Sequence, residues 1–285
     1  HKIIQTINFV NSNFLNIQNK LMGSAYDADS EGVEGKYYIY NYDEIKNIEG
    51  ISNFFDIQEG GNWEGKIILE EKKLPTAEII NQLLLVRKKR IKPFFDNKTQ
   101  LDLNCLWVSA LLSAHEALPD KGYLKKALIL FEQIELNFMK DKIFHSYDKN
   151  FAFLEDYAYL ISTLLDLFKH TLNIKYKFKA KALCDETINY FYIKEKNIFQ
   201  KNKIQSNDIF SLPIDISDHT ISNGNSIMLR NLTRLGFMSE AKKLSESLNG
   251  YLNIYKNYMI SSLKSIDYFN EISSGKNCNE EGCEI

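Results

Sequence analysis

The stretch LEDYAYLISTLLDLF, Leu154 to Phe168, decides the fold class. Its apolar residues Leu154, Tyr157, Ala158, Ile161, Leu164, Leu165 and Phe168 recur at three- and four-residue spacing, the stripe of a helix with one buried face. The spacing recurs upstream at Leu124, Ala127, Leu128, Phe131, Ile134 and Phe138. Downstream it returns over 175–192, 225–235, 239–248 and 251–268, so the chain from Asn104 onward reads as helix after helix. Pro119-Asp120, Asn173 and Gly236 punctuate these segments and leave short connections, as antiparallel helix pairs require.

The first third differs. Lys36 to Tyr40 and Lys66 to Leu69 read as short strands, with a turn at Gly60-Gly61-Asn62 between them. Helical patterns run from His1 to Leu15 and from Thr76 to Arg90. The expected fold is therefore all-α: stacked helical hairpins with a small β-hairpin insertion near 36–70, over a domain of residues 1–270, then a tail of residues 271–285. Stacked hairpins form either an open superhelix or a closed α/α toroid. No repeat of fixed period is visible, which disfavours the solenoid.

Composition bounds the function. With 285 residues, 44% of them hydrophobic, the chain can bury a full core without staples. A net charge of -2 argues against a protein built to grip nucleic acid. No apolar run approaches the ~18 to 20 residues of a membrane span. Cys105, Cys184, Cys278 and Cys283 form no C-x-x-C pair, so no cofactor or thioredoxin chemistry is read from them, and a reducing, cytoplasmic setting is expected. The 278/283 pair lacks nearby partners for zinc, and the tail reads as disordered or as carrying a labile disulfide. Lysine outnumbers arginine 31 to 4. Arg87, Arg90, Arg230 and Arg234 are then the positions where a planar fork, not a point charge, is expected. The run Arg87-Lys88-Lys89-Arg90 reads as a solvated helix end.

The densest chemical feature is Asp27-Ala-Asp-Ser-Glu-Gly-Val-Glu34, four carboxylates in eight residues. Asp27, Asp29, Glu31 and Gly32 match the first half of a calcium loop, but Tyr38 stands where a bidentate Glu is required, so no metal is assigned. Paired carboxylates also suit acid–base work on sugars, and a solvated acidic turn is the plainer alternative. Glu155-Asp156 opens a helix, where carboxylates cap. Asn223-Gly224-Asn225-Ser226 is either an N-cap or a ligand-binding helix start.

Taken together, Asp27 to Tyr38, Gly61 to Lys66, Arg90 to Pro93 with Asp96-Asn97-Lys98, Phe153 to Ala158, and Asp218 to Ser226 occur in an order that resembles the YyaL / spermatogenesis-associated thioredoxin-domain family. The resemblance implies a long protein with an N-terminal thioredoxin-like domain, and a C-terminal toroid similar to sugar 2-epimerases and six-hairpin glycosidases, of which this chain holds the later part. Asn97, Asp102, Leu103, Cys105 and the pair Ser222-Asn223 depart from the family pattern. On this reading Asp27, Asp29, Glu31 and Glu34 are the catalytic candidates. Trp63, Glu64, Asn104, Asp156, Asp218 and Asn225 are the substrate-binding candidates, the last four lining the toroid mouth. A saccharide is the expected ligand and the thioredoxin-like domain the expected partner, with a non-catalytic module serving that domain as the rival reading. The stripe Ile3, Ile4, Ile7, Val10, Phe14 and Leu15 needs neighbours on both sides, so the chain is expected to pair as a dimer or to close up differently from the longer protein.

Overall fold

The computed structural model describes residues 2–148, 151–203 and 213–275, with the backbone of 278–279 and 282–283. Ten α-helices are formed among them: α1 (Lys2–Phe14), α2 (Tyr42–Ile45), α3 (Ala77–Lys88), α4 (Leu101–Ala117), α5 (Tyr123–Phe138), α6 (Leu154–Thr171), α7 (Ile174–Phe191), α8 (Gly224–Leu235), α9 (Met238–Tyr255) and α10 (Ile260–Ser273). None is long and apolar enough to cross a membrane. Strand is confined to two-residue pairings. The chain forms two compact units, Ser24–Asn97 and His1–Gly23 with Lys98–Ile285.

The larger unit is an α/α toroid. Helix α4 packs on α6, α6 on α8 and α8 on α10, while α5, α7 and α9 each return along the helix before them. The apolar stripes account for this: Phe131, Ile134 and Phe138 of α5 and Leu160, Ile161 and Leu164 of α6 are fully buried in one core. Tight exits keep the pairs together. Gly236 ends α8 at φ 81, a left-handed cap that glycine adopts without strain. Gly224 answers a different demand, since a Cβ there would lie 2.9 Å from the buried Leu154 side chain.

Irregular segments are pinned by two buried asparagines. Asn104 accepts from the Met22 amide (2.8 Å) and donates to the Met22 carbonyl (3.1 Å). Asn225 does the same for Phe199, at 2.9 Å in both directions, and donates to the Asp215 carbonyl at 3.0 Å. The expected helix over 251–268 is broken at residues 256–258. Asp218 explains the break, because its amide donates to the Tyr258 carbonyl and its carboxylate accepts from the Ser261 amide at 2.8 Å, capping α10. Helix α1 forms as expected but buries only Ile7 fully; Val10 and Phe14 pack partly, and Ile3 and Leu15 stay exposed.

The Ser24–Asn97 unit has its own small core of Tyr40, Ile45, Ile48, Ile51, Phe55, Ile67, Ile79 and Leu83. The strands expected at 36–40 and 66–69 shrink to a single bridge, Tyr40 to Ile67. Instead Ala25–Tyr26 pairs with Phe95–Asp96, and Asp29–Ser30 with Val33–Glu34. The reason lies in the turn after Gly35, which swings Tyr37 and Tyr38 beneath the Arg87 guanidinium at 5.6 and 5.7 Å. The chain turns at Gly60-Gly61 as expected, where the Gly61 amide donates to the Gln58 carbonyl, and a further turn follows at Glu64-Gly65, both at positive φ. Arg87 and Arg90 are not a solvated end. Arg90 donates to the carbonyls of Tyr37 (3.0 Å) and Ile39, pairs with Glu44 at 3.0 Å and lies over the Tyr40 ring. A single planar fork serves all of these, which a lysine cannot do.

Two outcomes follow from this packing. Gly224→Ala should cost about 1–3 kcal/mol in a urea titration, because Leu154 has no space to yield. Arg90→Lys should destabilise the Ser24–Asn97 unit by about 1–3 kcal/mol, read as faster amide exchange at Tyr40 and Ile67 with the toroid's exchange unchanged.

Candidate active site at the starts of the inner helices

Helices α4, α6, α8 and α10 all begin at one end of the toroid unit. Asp102 is the second residue of α4, Glu155 and Asp156 the second and third of α6, Asn223 caps α8, and Asp218 caps α10. Between them lies a cavity of about 280 Å³. Asp102, His145, Glu155, Lys201, Asp215 and His219 supply its charged and titratable wall, and Phe153 with Ile221 its apolar wall.

His145 organises the wall. It precedes α6 by nine residues in the chain, and its carbonyl accepts from the Leu101 amide at 2.8 Å, which fixes it against the start of α4. Its Nδ1 stands 3.0 and 3.1 Å from the two oxygens of Asp156, and its Nε2 stands 2.9 Å from Gln100 Nε2. The arrangement assigns the proton to Nδ1, donated to Asp156, with Nε2 accepting from the Gln100 amide. Asp156 is fully buried and also accepts from the Phe153 amide at 2.8 Å, so one carboxylate caps α6 and aims the imidazole.

Burial raises the Asp102 and Glu155 carboxyls from their ordinary values and pushes Asp156 up to about 6. The hydrogen bond that His145 donates to the Asp156 carboxylate raises the His145 imidazole. Glu155 Oε2 is buried with no hydrogen-bond partner among the described residues. Lys201 meets Asp215 at 3.2 Å across the rim. Asp102, His145 and Asp156 each bring a ligating atom within 4.8 Å of the others. Both His145 nitrogens and an Asp156 oxygen are already committed to hydrogen bonds, so the donor set fits a proton network better than a cation.

Several expected site residues serve the backbone instead. Asn104 and Asn225 do not line the mouth: they are fully buried as the clamps described above. Asp156 stands behind His145, and Asp218 holds the Asn223 and Ser261 amides. In the other unit, Asp27, Asp29, Glu31 and Glu34 are exposed on a loop that closes on itself, through the Asp29 amide to Asp27 (3.1 Å) and Lys36 to Glu31 (2.8 Å). Trp63 and Glu64 occupy an exposed turn. Sequence reasoning overlooked His145, Lys201 and Asp215 and took Glu155 for a cap alone. The one available signal was His145 among only five histidines, and no local motif attends it.

The buried thiols take no part. Burial pushes Cys184 up to about 12 and raises Cys105, the reverse of what thiol exchange requires. The side chains of Cys278 and Cys283 lie outside the described residues, and with them the disulfide and disorder readings of the tail.

No family model matches the chain. An uncharacterised protein of Caenorhabditis elegans is 24% identical over 292 residues, covering 79% of this chain. The chain spans 39% of that relative's length. Among solved structures, a GH76 alpha-mannanase of Bacteroides thetaiotaomicron superposes with a TM-score of 0.51 at 15% identity, over 96% of this chain and 78% of the mannanase. A sugar epimerase from a ruminal bacterium reaches 0.46 at 15% identity, over 99% and 88%. The fold shared with the mannanase is the α/α toroid.

The His145–Asp156 pair sets a pH dependence. A histidine raised by its partner contributes stability that is full below its unfolded value of about 6.5 and is lost as pH rises through the folded value. His145→Gln should therefore cost more stability at pH 6 than at pH 8.5. Paired urea titrations at the two values check this, and an equal cost at both would contradict it.

Proposed function

We propose that the cavity at the helix starts binds a saccharide and carries out acid–base chemistry on it, with Asp102 and Glu155 as the proton-transferring groups. The observation that carries this reading is the convergence of two carboxyls of raised pKa, one with an oxygen unpartnered among the described residues, in a concave site beside the half-buried His145 and the buried Asp156. Cavities of this kind are where enzymes keep a carboxylic acid neutral enough to donate. The fold likeness to an alpha-mannanase favours a sugar as the substrate class, either through proton transfer beside a carbonyl, as in epimerisation, or through glycosidic cleavage. The acidic loop Asp27 to Glu34 remains a rival carboxylate set, but its groups are exposed and line none of the described cavities.

The motif order from Asp27 to Ser226 supports the further reading that this is the toroid part of a cytoplasmic protein of the YyaL / spermatogenesis-associated thioredoxin-domain family, with the thioredoxin-like domain as its partner. The long C. elegans relative agrees in length. A second reading, a non-catalytic module serving that domain, draws support from Asn104, Asn225 and Asp218, which act as clamps and caps.

Two assays on the full chain separate these readings. One follows solvent deuterium entering aldoses and disaccharides in D₂O, and the other follows reducing ends released from α-mannan. Activity in either should fall by about 10²- to 10⁴-fold in Asp102→Asn and Glu155→Gln, with unchanged circular dichroism. A folded parent chain that is inert in both, and that binds no saccharide by calorimetry, overturns the catalytic reading in favour of the module.

A further inference from the structure

The toroid unit holds a second cavity, about 600 Å³, that the acid–base site does not use. It lies toward the opposite ends of the same helices: Glu116 follows Asp102 by fourteen residues along α4, about 20 Å at the rise of an α-helix. Its volume falls in the range of small-molecule sites. Its walls are polar where the facing sides of packed helices are ordinarily apolar.

Most of the charges there are already matched. Arg234 pairs with Asp166 at 2.9 Å, and Asp166 also accepts from the Ser109 hydroxyl at 2.9 Å. Lys169 meets Glu116 at 3.0 Å and His170 meets it at 3.3 Å. Lys169 and His170 stand in the last turn of α6, where the helix dipole by itself favours cations. Arg230 is exposed and belongs to neither group. It sits five residues before the end of α8, lies over the Tyr268 ring at 5.3 Å, and has no carboxylate or carbonyl partner among the described residues. In a chain that writes lysine for arginine 31 to 4, Arg90 and Arg234 place the fork on protein oxygens, while Arg87 stacks over Tyr37 and Tyr38 as Arg230 does over Tyr268. The exposed Arg230 fork meets no carboxylate or carbonyl among the described residues.

We infer that this cavity is a second ligand site, taking a small hydrophilic molecule whose oxyanion, a phosphate or a carboxylate, seats on the Arg230 guanidinium. Arginine favours such planar, bidentate partners over a point-charge contact. Arg234 adds positive potential one turn along α8, and the Ser109 side of the cavity supplies hydroxyl contacts for the ligand's polar body. The inference is independent of the acid–base reading, since none of its residues belongs to that cavity.

Four arginines give four Nε–Hε resonances in a ¹⁵N-labelled full chain, which makes the test direct. Inorganic phosphate and, in a separate arm, malonate are titrated in, with the Arg230 resonance assigned by its loss in Arg230→Gln. A saturable shift of that resonance is expected, with Arg87 and Arg90 unmoved, and the tighter arm names the oxyanion. Arg230→Lys keeps the charge and loses the fork, so the affinity measured by calorimetry should fall at least about tenfold. No saturable shift up to ~20 mM of either anion, far weaker than a millimolar site, overturns the inference. So do equal shifts of all four arginines, or a lysine variant that binds as well as the parent.

Discussion

The buried carboxylate of Asp156 is the interaction on which the candidate site depends. An ionised carboxylate in a fully enclosed position is costly unless its oxygens are occupied. Here the Phe153 amide takes one and the His145 imidazole spans both. The first contact starts α6 at a definite residue. The second ties the segment after α5 to that start, and the His145 carbonyl passes the constraint on to Leu101 at the start of α4. A single group thus sets the register of two inner helices and the orientation of the His145 imidazole in the cavity wall with Asp102 and Glu155.

The asparagine clamps extend the same logic to segments without regular structure. A side-chain amide offers a donor and an acceptor in the geometry of a peptide group, so Asn104 and Asn225 pair with Met22 and Phe199 as a neighbouring strand would. Both are fully enclosed, where leaving either backbone group unpaired would cost about 1–3 kcal/mol. This explains why polar residues that resemble ligand contacts in the sequence turn out to be structural. A ligand and a buried peptide group make the same demand on an amide, and a one-dimensional pattern does not distinguish them.

Polarity is arranged along the inner helices in two layers. Carboxyls and an imidazole gather at their starts, and cations paired with carboxylates gather toward their ends. The dipole favours the ion pairs at both ends and so explains the broad distribution of charge. It does not explain a buried Glu155 oxygen without a hydrogen-bond partner among the described residues, or an Arg230 fork that meets none of their carboxylates. Those two exceptions are what separate a binding surface from ordinary helix capping.

The sequence by itself determined the all-α class, the identity of nearly every helix and the hairpin order, because helical periodicity is a local property that burial of one face imposes on each segment alone. The helix boundaries at Thr76, Asn173 and Gly236 were legible too, and in the structure Thr76 and Asn173 cap α3 and α7 while Gly236 ends α8. Strand pairing was not: Ala25–Tyr26 meets Phe95–Asp96 across some seventy residues, and nothing in two residues marks such a partner. The break at 256–258 escaped because Asp218, far away in sequence, caps α10 there. Only the tertiary structure decided the site, since Asp102, His145, Glu155 and Asp215 come from four separate segments. Burial, which sets their proton affinities, exists only once those segments have packed.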